Sequence, residues 1–139
     1  MCIAGVAALT FFRCRGGGDV GGQTFTVGSC ATDKVISIRS AEVGYDPQWN
    51  PSTNPPTCSW QSAVCTRSIA NNRVIVRCNG RRSCAFSGSI FIYPQGSVLT
   101  LCPEQRDANF INIKYSCITG TKPNCSYVEI SYYHTVIIA

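Results

Sequence analysis

A small, disulfide-rich and mainly β-stranded domain is the fold class that this sequence predicts. Ten cysteines are spread over 139 residues, an even number at a density typical of disulfide frameworks. Several short runs alternate apolar and polar residues with the period of two that strands show. Charged residues make up only 14% of the chain, and its length corresponds to one domain. Because disulfides persist in oxidising compartments, we expect a secreted or extracellular protein.

Metal binding is the competing interpretation of so many cysteines. Zinc sites usually combine Cys-x-x-Cys pairs or Cys/His clusters, whereas this chain has neither pattern and a single histidine, His134. We therefore expect disulfides, with no metal and no cofactor. The lone histidine, without a Ser/His/Asp arrangement, also gives no basis for catalysis, so we predict no catalytic residue and no enzyme activity.

Both ends of the chain are apolar. The N-terminal segment Met1–Phe12 lacks the basic region and the cleavage site of a signal peptide, and it is too short to span a bilayer as a helix. The C-terminal segment Tyr127–Ala139 is rich in β-branched and aromatic residues. We expect both tails to form strands that need a partner surface, either within the domain or on a neighbouring molecule.

Alternating patterns between the tails predict four strands: Phe25–Ser29, Lys34–Ser40, Ala85–Tyr93 and Phe110–Cys117. The glycine-rich run 16–22 predicts a flexible loop, and Tyr45–Thr57, with four prolines, predicts an irregular one. The segment Cys65–Arg77 is ambiguous. Its first half favours a helix, while its Val-Ile-Val favours a strand.

Three short motifs lie within the cysteine pattern: Ala41–Tyr45 (AEVGY), Cys78–Cys84 (CNGRRSC) and Asn109–Cys117 (NFINIKYSC). Together with eight cysteines in the same order, they resemble the A-x-Y-G-R, C-x-G-K-x-x-C and K-Y-L-x-x-x-Y-x-C segments of the sea-urchin-egg-lectin domain. This galactose- or rhamnose-binding lectin domain is also found in latrophilin ectodomains. The resemblance covers about three quarters of the chain, from Cys14 to Cys117. The twelve residues between Cys65 and Cys78 match the spacing of the family's main helix.

The resemblance implies an α/β small disulfide-rich domain: an antiparallel β-sandwich with one main helix and long stapled loops, to which the tails add terminal β-strands. The implied divisions are an N-terminal strand or tail over 1–13, the lectin-like domain over 14–117 and a C-terminal strand tail over 118–139. The implied disulfide pairs are Cys14–Cys58, Cys30–Cys117, Cys65–Cys102 and Cys78–Cys84. Cys2 and Cys125 are left over, and they bridge either to each other or to another subunit.

The family's sugar-binding positions correspond here to Arg15, Val43, Tyr45, Thr100 and Asn109. Arg15 stands where the family has Glu, Val43 where it has Tyr, and Asn109 where it has Lys. The family's Asp-Pro-Cys becomes Thr100-Leu-Cys. Because carboxylates that accept hydrogen bonds from sugar hydroxyls are lost, we expect the usual site to be eroded. Three of these residues are polar and able to form a different pocket: Arg15, Thr100 and Asn109.

Three further groups of side chains have two interpretations each. A set of arginines forms either a basic patch for acidic glycans or an ordinary solvated face: Arg73, Arg77, Arg81 and Arg82. A set of aromatic residues either stacks on sugars or packs the proline-rich loop onto the core: Tyr45, Trp49 and Trp60. The candidates for glycosylation are Asn124, in an N-x-S sequon, and the proline-flanked Ser52, Thr53 and Thr57.

Two functions follow from these features. The apolar tails favour a structural subunit of a self-assembling extracellular polymer, in which a terminal strand completes a neighbour's sheet by strand addition. The alternative is a secreted lectin that binds galactose, rhamnose or acidic glycans through a shifted site. In a simpler case both tails add strands to their own domain. The net charge of +5 comes from scattered residues, so nucleic acid is not an expected partner, and no transmembrane segment is predicted.

Overall fold

The structure, a computed structural model, describes residues 7–18, 20–91 and 107–119. These residues form two antiparallel sheets, one short helix and three 3-10 turns. The strands are β1 (Leu9–Cys14), β2 (Thr24–Val27), β3 (Lys34–Tyr45), β4 (Cys65–Ser68), β5 (Cys84–Ser87) and β6 (Phe110–Thr119). The helix is α1 (Arg73–Val76). The prediction of a small, disulfide-rich and mainly antiparallel β domain is confirmed.

The larger sheet has the strand order β1-β6-β3-β4, with all neighbours antiparallel. In β1, Leu9 lies opposite Tyr115 and Cys14 lies opposite Phe110. The described part of the N-terminal tail is therefore a strand of its own domain. Residues 1–6 and the whole C-terminal segment 127–139 lie outside the described residues.

A β-bulge at Arg39 keeps the apolar side of β3 on the core. Before the bulge the inward side chains are Ile36 and Ile38, and after it they are Ala41 and Val43. The register with β6 shifts between Ile38 and Ser40. Side chains alternate strictly between the two faces of a strand. The one extra residue therefore moves the core-facing positions from even-numbered residues before the bulge to odd-numbered residues after it.

The hydrophobic core joins the two sheets. The inner face of the larger sheet contributes Phe11 and Ile113, the small β2–β5 sheet contributes Val27 and Phe86, and α1 contributes Ile75. The rings of Phe11 and Phe86 meet edge to face at 6.2 Å. One cluster of buried side chains therefore spans both sheets and the helix, as expected for a single domain.

In the ambiguous segment Cys65–Arg77, the half that favours a helix forms a strand, and the half that favours a strand forms the helix. Its first residues form β4, which pairs with the end of β3. Its Val-Ile-Val lies in α1, because the side chain of Asn72 accepts a hydrogen bond from the Val74 amide and caps the helix. The main helix implied by the resemblance is thus a single turn here. No helix among the described residues is long and apolar enough to cross a bilayer.

Two predicted strands end earlier than expected. The strand predicted over Phe25–Ser29 stops at Val27, since Gly28 adopts a positive φ of 77° that turns the chain. The strand predicted over Ala85–Tyr93 stops at Ser87, whose hydroxyl accepts a hydrogen bond from the Ser89 amide. A 3-10 turn over Gly88–Phe91 follows.

Disulfides join three pairs of described cysteines: Cys14–Cys58, Cys30–Cys117 and Cys78–Cys84. These are pairs that the resemblance implies. Cys65 is also disulfide-bonded, while its implied partner Cys102 lies outside the described residues, as do Cys2 and Cys125. The first bond ties the end of β1 to the proline-rich loop, and the second ties the segment after β2 to β6.

Candidate functional site

Asn109, one of the predicted sugar-binding residues, has a structural role. Its side-chain oxygen accepts a hydrogen bond from the Asp46 amide at 2.8 Å, and its Nδ2 donates to the Asp46 carbonyl at 2.9 Å. Its own amide donates to the Gly44 carbonyl. Asn109 therefore joins the start of β6 to the end of β3, and as a residue 1% exposed it offers no group to a ligand.

Arg15 lies beside Asn109 and is held by contacts on several sides. Its amide donates to the Asn109 carbonyl at 2.7 Å, and its carbonyl accepts a hydrogen bond from the Trp49 indole at 2.6 Å. Its guanidinium stands 5.7 Å from the centre of the Trp49 ring and 4.0 Å from the Asp107 carboxylate. Trp49 thus packs the proline-rich loop onto this end of the sheet.

Two of the other predicted sugar-binding residues, Val43 and Tyr45, lie on β3 in the described part of the chain. Val43 is fully buried in the core, where its side chain is out of reach of a ligand at the surface. The cause is the bulge at Arg39, after which the odd-numbered residues Ala41 and Val43 of β3 face the core. Tyr45 is half-buried at the end of β3, and Thr100 lies outside the described residues.

Asp46, which the sequence did not single out, organises the loop that follows β3. Its buried carboxylate accepts hydrogen bonds from the Gln48 amide at 2.9 Å, the Ser59 amide at 2.7 Å and the Ser62 hydroxyl at 2.8 Å. Burial by itself raises the pKa of this carboxyl, but the three hydrogen bonds outweigh it and hold the pKa below its usual value of 3.8. The carboxylate is therefore charged at neutral pH.

Trp60 is presented on the turn that Asp46 holds. The 3-10 turn Trp60–Ser62 begins after Ser59, whose hydroxyl accepts a hydrogen bond from the Gln61 amide. The residue before Ser59 is Cys58, which is bonded to Cys14 of β1. The Trp60 side chain is nevertheless 56% exposed. A carboxylate and a disulfide thus fix an indole in a position where most of it faces solvent.

A groove of about 610 Å³, which we call the face groove, lies beside Trp60 on the outer face of the larger sheet. The register places Thr10 opposite Lys114 and Glu42 opposite Asn112. Asn112 Nδ2 lies 3.5 Å from Glu42 Oε1, while the buried Asn112 Oδ1 has no hydrogen-bond partner among the described residues. An aromatic ring, a carboxylate, a carboxamide, an ammonium and a hydroxyl therefore border one groove.

Of the described residues that border the face groove, only Trp60 was a candidate ligand contact from the sequence. The strand alternation gave a signal for four polar residues of this groove that occupy the polar positions of their strands: Thr10, Glu42, Asn112 and Lys114. Alternation alone does not show which strands are neighbours, so these four residues were not predicted to meet.

A second groove, of about 970 Å³, runs along the outer edge of β1, and we call it the edge groove. It lies between β1 and β2, and Pro55 and Pro56 of the proline-rich loop line it as well. Aromatic side chains of both strands contribute to its surface, among them Phe12 and Phe25. Within the described part of the chain, no strand pairs with the outer edge of β1.

Main-chain groups along the outer edge of β1 point away from β6, and Phe12 among them lines the edge groove. Because the Arg15 amide donates to the Asn109 carbonyl, the antiparallel ladder directs the N–H and C=O of Thr10 and Phe12 away from β6. The Phe12 carbonyl accepts a hydrogen bond at 2.7 Å from the side chain of Arg13. A charged side chain that covers an open edge is a common protection against unwanted strand pairing.

The remaining candidate residues that the structure describes are exposed. All four arginines of the predicted basic patch are exposed, and the disulfide Cys78–Cys84 closes the loop that carries two of them. The hydroxyl-bearing candidates for glycosylation are exposed in the proline-rich loop: Ser52, Thr53 and Thr57. Asn124 lies outside the described residues.

Comparisons with known proteins found no match for this chain. No protein-family model matches this chain, and no curated protein and no solved structure matches it either. The lectin-like interpretation therefore depends on the cysteine order and on the three motifs given above.

Proposed function

We propose that this chain is a non-enzymatic, extracellular, lectin-like β-sandwich module that serves as a structural subunit of a self-assembling polymer. The edge of β1 carries this proposal. Thr10 and Phe12 direct main-chain donors and acceptors away from β6 at this open edge, and Phe12 lines the edge groove together with other aromatic residues and prolines. Such an edge accepts an added strand, since main-chain hydrogen bonds supply affinity and the side-chain pockets supply specificity.

The disulfide frame supports a role outside the cell. Bonds such as Cys30–Cys117 persist only where the surroundings are oxidising. A bond that closes so long a loop contributes roughly 2–5 kcal/mol to stability. A module of this kind withstands extracellular conditions. Head-to-tail contacts between identical modules yield a filament when the rotation between neighbouring modules does not close a ring.

A proline at the edge of β1 tests the proposal. Thr10 is exposed and its N–H points away from β6, so Thr10→Pro removes a donor from the edge without breaking the native ladder. The matched control is Thr66→Pro, at an exposed position of β4 whose N–H points away from β3. Sedimentation velocity and electron microscopy should show assembly of the wild type and the control, and loss of assembly in Thr10→Pro. A wild-type chain that stays monomeric, or equal assembly of both variants, contradicts the proposal.

A second function, carbohydrate binding, is favoured by the face groove. A pyranose has an apolar C–H face that packs on an indole such as Trp60, and hydroxyls that both donate and accept hydrogen bonds. Glu42 accepts and Lys114 donates, so the groove offers partners of both kinds. Its volume of about 610 Å³ lies within the range of small-ligand sites.

The two tryptophans of the chain make this second function testable by NMR. A panel of neutral methyl glycosides, including those of galactose and rhamnose, is titrated while the two indole N–H signals are followed. Carbohydrate binding in the face groove should shift the Trp60 signal and leave the Trp49 signal in place. Trp60→Ala and Glu42→Gln should each weaken binding about tenfold, or ~1.4 kcal/mol, while Asp33→Asn should not. A shift of Trp49 alone, or no binding by any glycoside, rejects carbohydrate binding at this groove.

A further inference from the structure

Among the described residues that line the edge groove, one side chain is charged, that of Arg13. Its guanidinium donates to the Phe12 carbonyl at 2.7 Å and lies 4.6 Å from the centre of the Phe11 ring. Arg13 is exposed, so a partner can reach it without rearrangement of the core. The rest of this lining consists of aromatic residues, prolines, glycine, glutamine, threonines and the Cys14–Cys58 disulfide, so an occupant meets one positive charge in an otherwise uncharged channel.

The chain itself contains a segment with matching properties. Residues 127–139 (YVEISYYHTVIIA) alternate apolar and polar residues over their first half and are rich in β-branched and aromatic types. Their one acidic side chain is Glu129, and they contain no lysine or arginine. At about 3.3 Å per residue, this stretch exceeds the length of the six-residue edge of β1.

The linkage to the domain is long enough for exchange between molecules. Seven residues, 120–126, separate the last described residue, Thr119 of β6, from Tyr127. A linker of seven residues spans at most about 25 Å. A neighbouring molecule in contact with this one therefore lies within reach of the segment.

We propose that the edge groove binds residues 127–139 of a second copy of this chain, with Glu129 of the incoming segment pairing with Arg13. The incoming strand extends the larger sheet beyond β1. As it docks, the Arg13 guanidinium turns from the Phe12 carbonyl to the carboxylate, and the freed carbonyl accepts an N–H from the new strand. Arg13 thus both covers the empty edge and selects an acidic strand. This inference rests on the proposed assembly function and identifies the segment that supplies the added strand.

Charge reversal in separate molecules tests the pairing. Arg13→Glu leaves an acceptor groove that repels the wild-type segment, and Glu129→Lys leaves a segment that the wild-type groove repels. Each single variant should associate at least tenfold more weakly than the wild type in sedimentation velocity. A mixture of the two should recover association, because the acidic groove of the first variant then receives the basic segment of the second. Arg81→Glu, the same charge change on an exposed arginine outside the groove, is the control and should assemble normally.

Each result separates the inference from the function on which it rests. If the wild type assembles but the mixture stays monomeric, or if the single variants assemble like the wild type, the proposed pairing is wrong while assembly itself stands. If the wild type does not assemble, the proposed function fails and the pairing fails with it. Thermal unfolding of each variant, compared with that of Arg81→Glu, shows whether lost association comes from a misfolded chain.

Discussion

Replacing Asp46 by asparagine tests how the loop that carries Trp60 is held. The substitution keeps the size of the side chain but replaces one carboxylate oxygen by an amino group. The remaining oxygen still accepts from the Gln48 amide and the Ser62 hydroxyl, whereas the new amino group faces the Ser59 amide, 2.7 Å from the oxygen it replaces. Two hydrogen-bond donors then face each other at a partly buried position.

The expected cost follows from the hydrogen bonds that change. Bonds to a charged acceptor contribute about 1.5–3 kcal/mol each, and an amide left without a partner costs about 1–3 kcal/mol. Because the donors lie in a partly exposed loop, water compensates some of the loss. We therefore expect Asp46→Asn to lower the free energy of unfolding by about 2–3 kcal/mol at neutral pH, measured by urea denaturation with the disulfides intact.

The dependence on pH gives this prediction a second check. The folded pKa of Asp46 lies below the unfolded value of about 3.9, so its contribution is complete above about pH 5 and is lost as the pH falls through the folded pKa. The difference between wild type and Asp46→Asn should therefore shrink below about pH 4. Asp33→Asn, at an exposed carboxylate, should stay within about 0.5 kcal/mol of the wild type. A difference between wild type and Asp46→Asn that stays constant down to about pH 2 would refute this reasoning.

Two further predictions concern the frame of the domain. A methyl group on Gly44 would lie 2.6 Å from Phe110 Cε1 and 2.9 Å from the Cys65 carbonyl, so Gly44→Ala should destabilise by about 1–3 kcal/mol in thermal unfolding. Gly17→Ala meets ordinary contacts and should change little; equal effects would contradict the packing described for Gly44. The Cys30–Cys117 bond spans 87 residues and the Cys78–Cys84 bond spans 6. Replacing both cysteines of a pair by serine should cost about 4–5 kcal/mol for the first and about 2 kcal/mol for the second, and the reverse order would contradict the loop-closure account.

Much of the β framework was predictable because strand signals are local. The alternation in Lys34–Ser40 and Phe110–Cys117 marks two strands that the structure confirms and extends, as β3 and β6. The position of the helix within Cys65–Arg77 was left open by the sequence, and the structure places it on Val-Ile-Val, where the hydrogen bond that Asn72 accepts outweighs the strand preference of these residues. Capping by a single side chain leaves little trace in the periodicity of the sequence.

The candidate sites depend on pairings that the sequence does not encode locally. The resemblance placed Val43 in a sugar site, but the bulge at Arg39 turns it into the core, and one added residue in a strand gives no pattern of its own. Likewise, Glu42 and Asn112 meet only because β3 and β6 are neighbours in a given register. The edge groove is bordered by β1. The apolar N-terminal tail predicted a strand there, but it did not show that this strand pairs with β6.

Hydrogen exchange at the Thr10 and Phe12 amides tests the central claim, strand addition at the edge of β1, most directly. Both N–H groups point away from β6, so they should exchange rapidly in the dilute chain and slowly once copies associate. The account predicts protection that rises with protein concentration and is lost in the Glu129→Lys variant. Association that leaves both amides unprotected, or protection that persists unchanged on dilution, would contradict strand addition between copies.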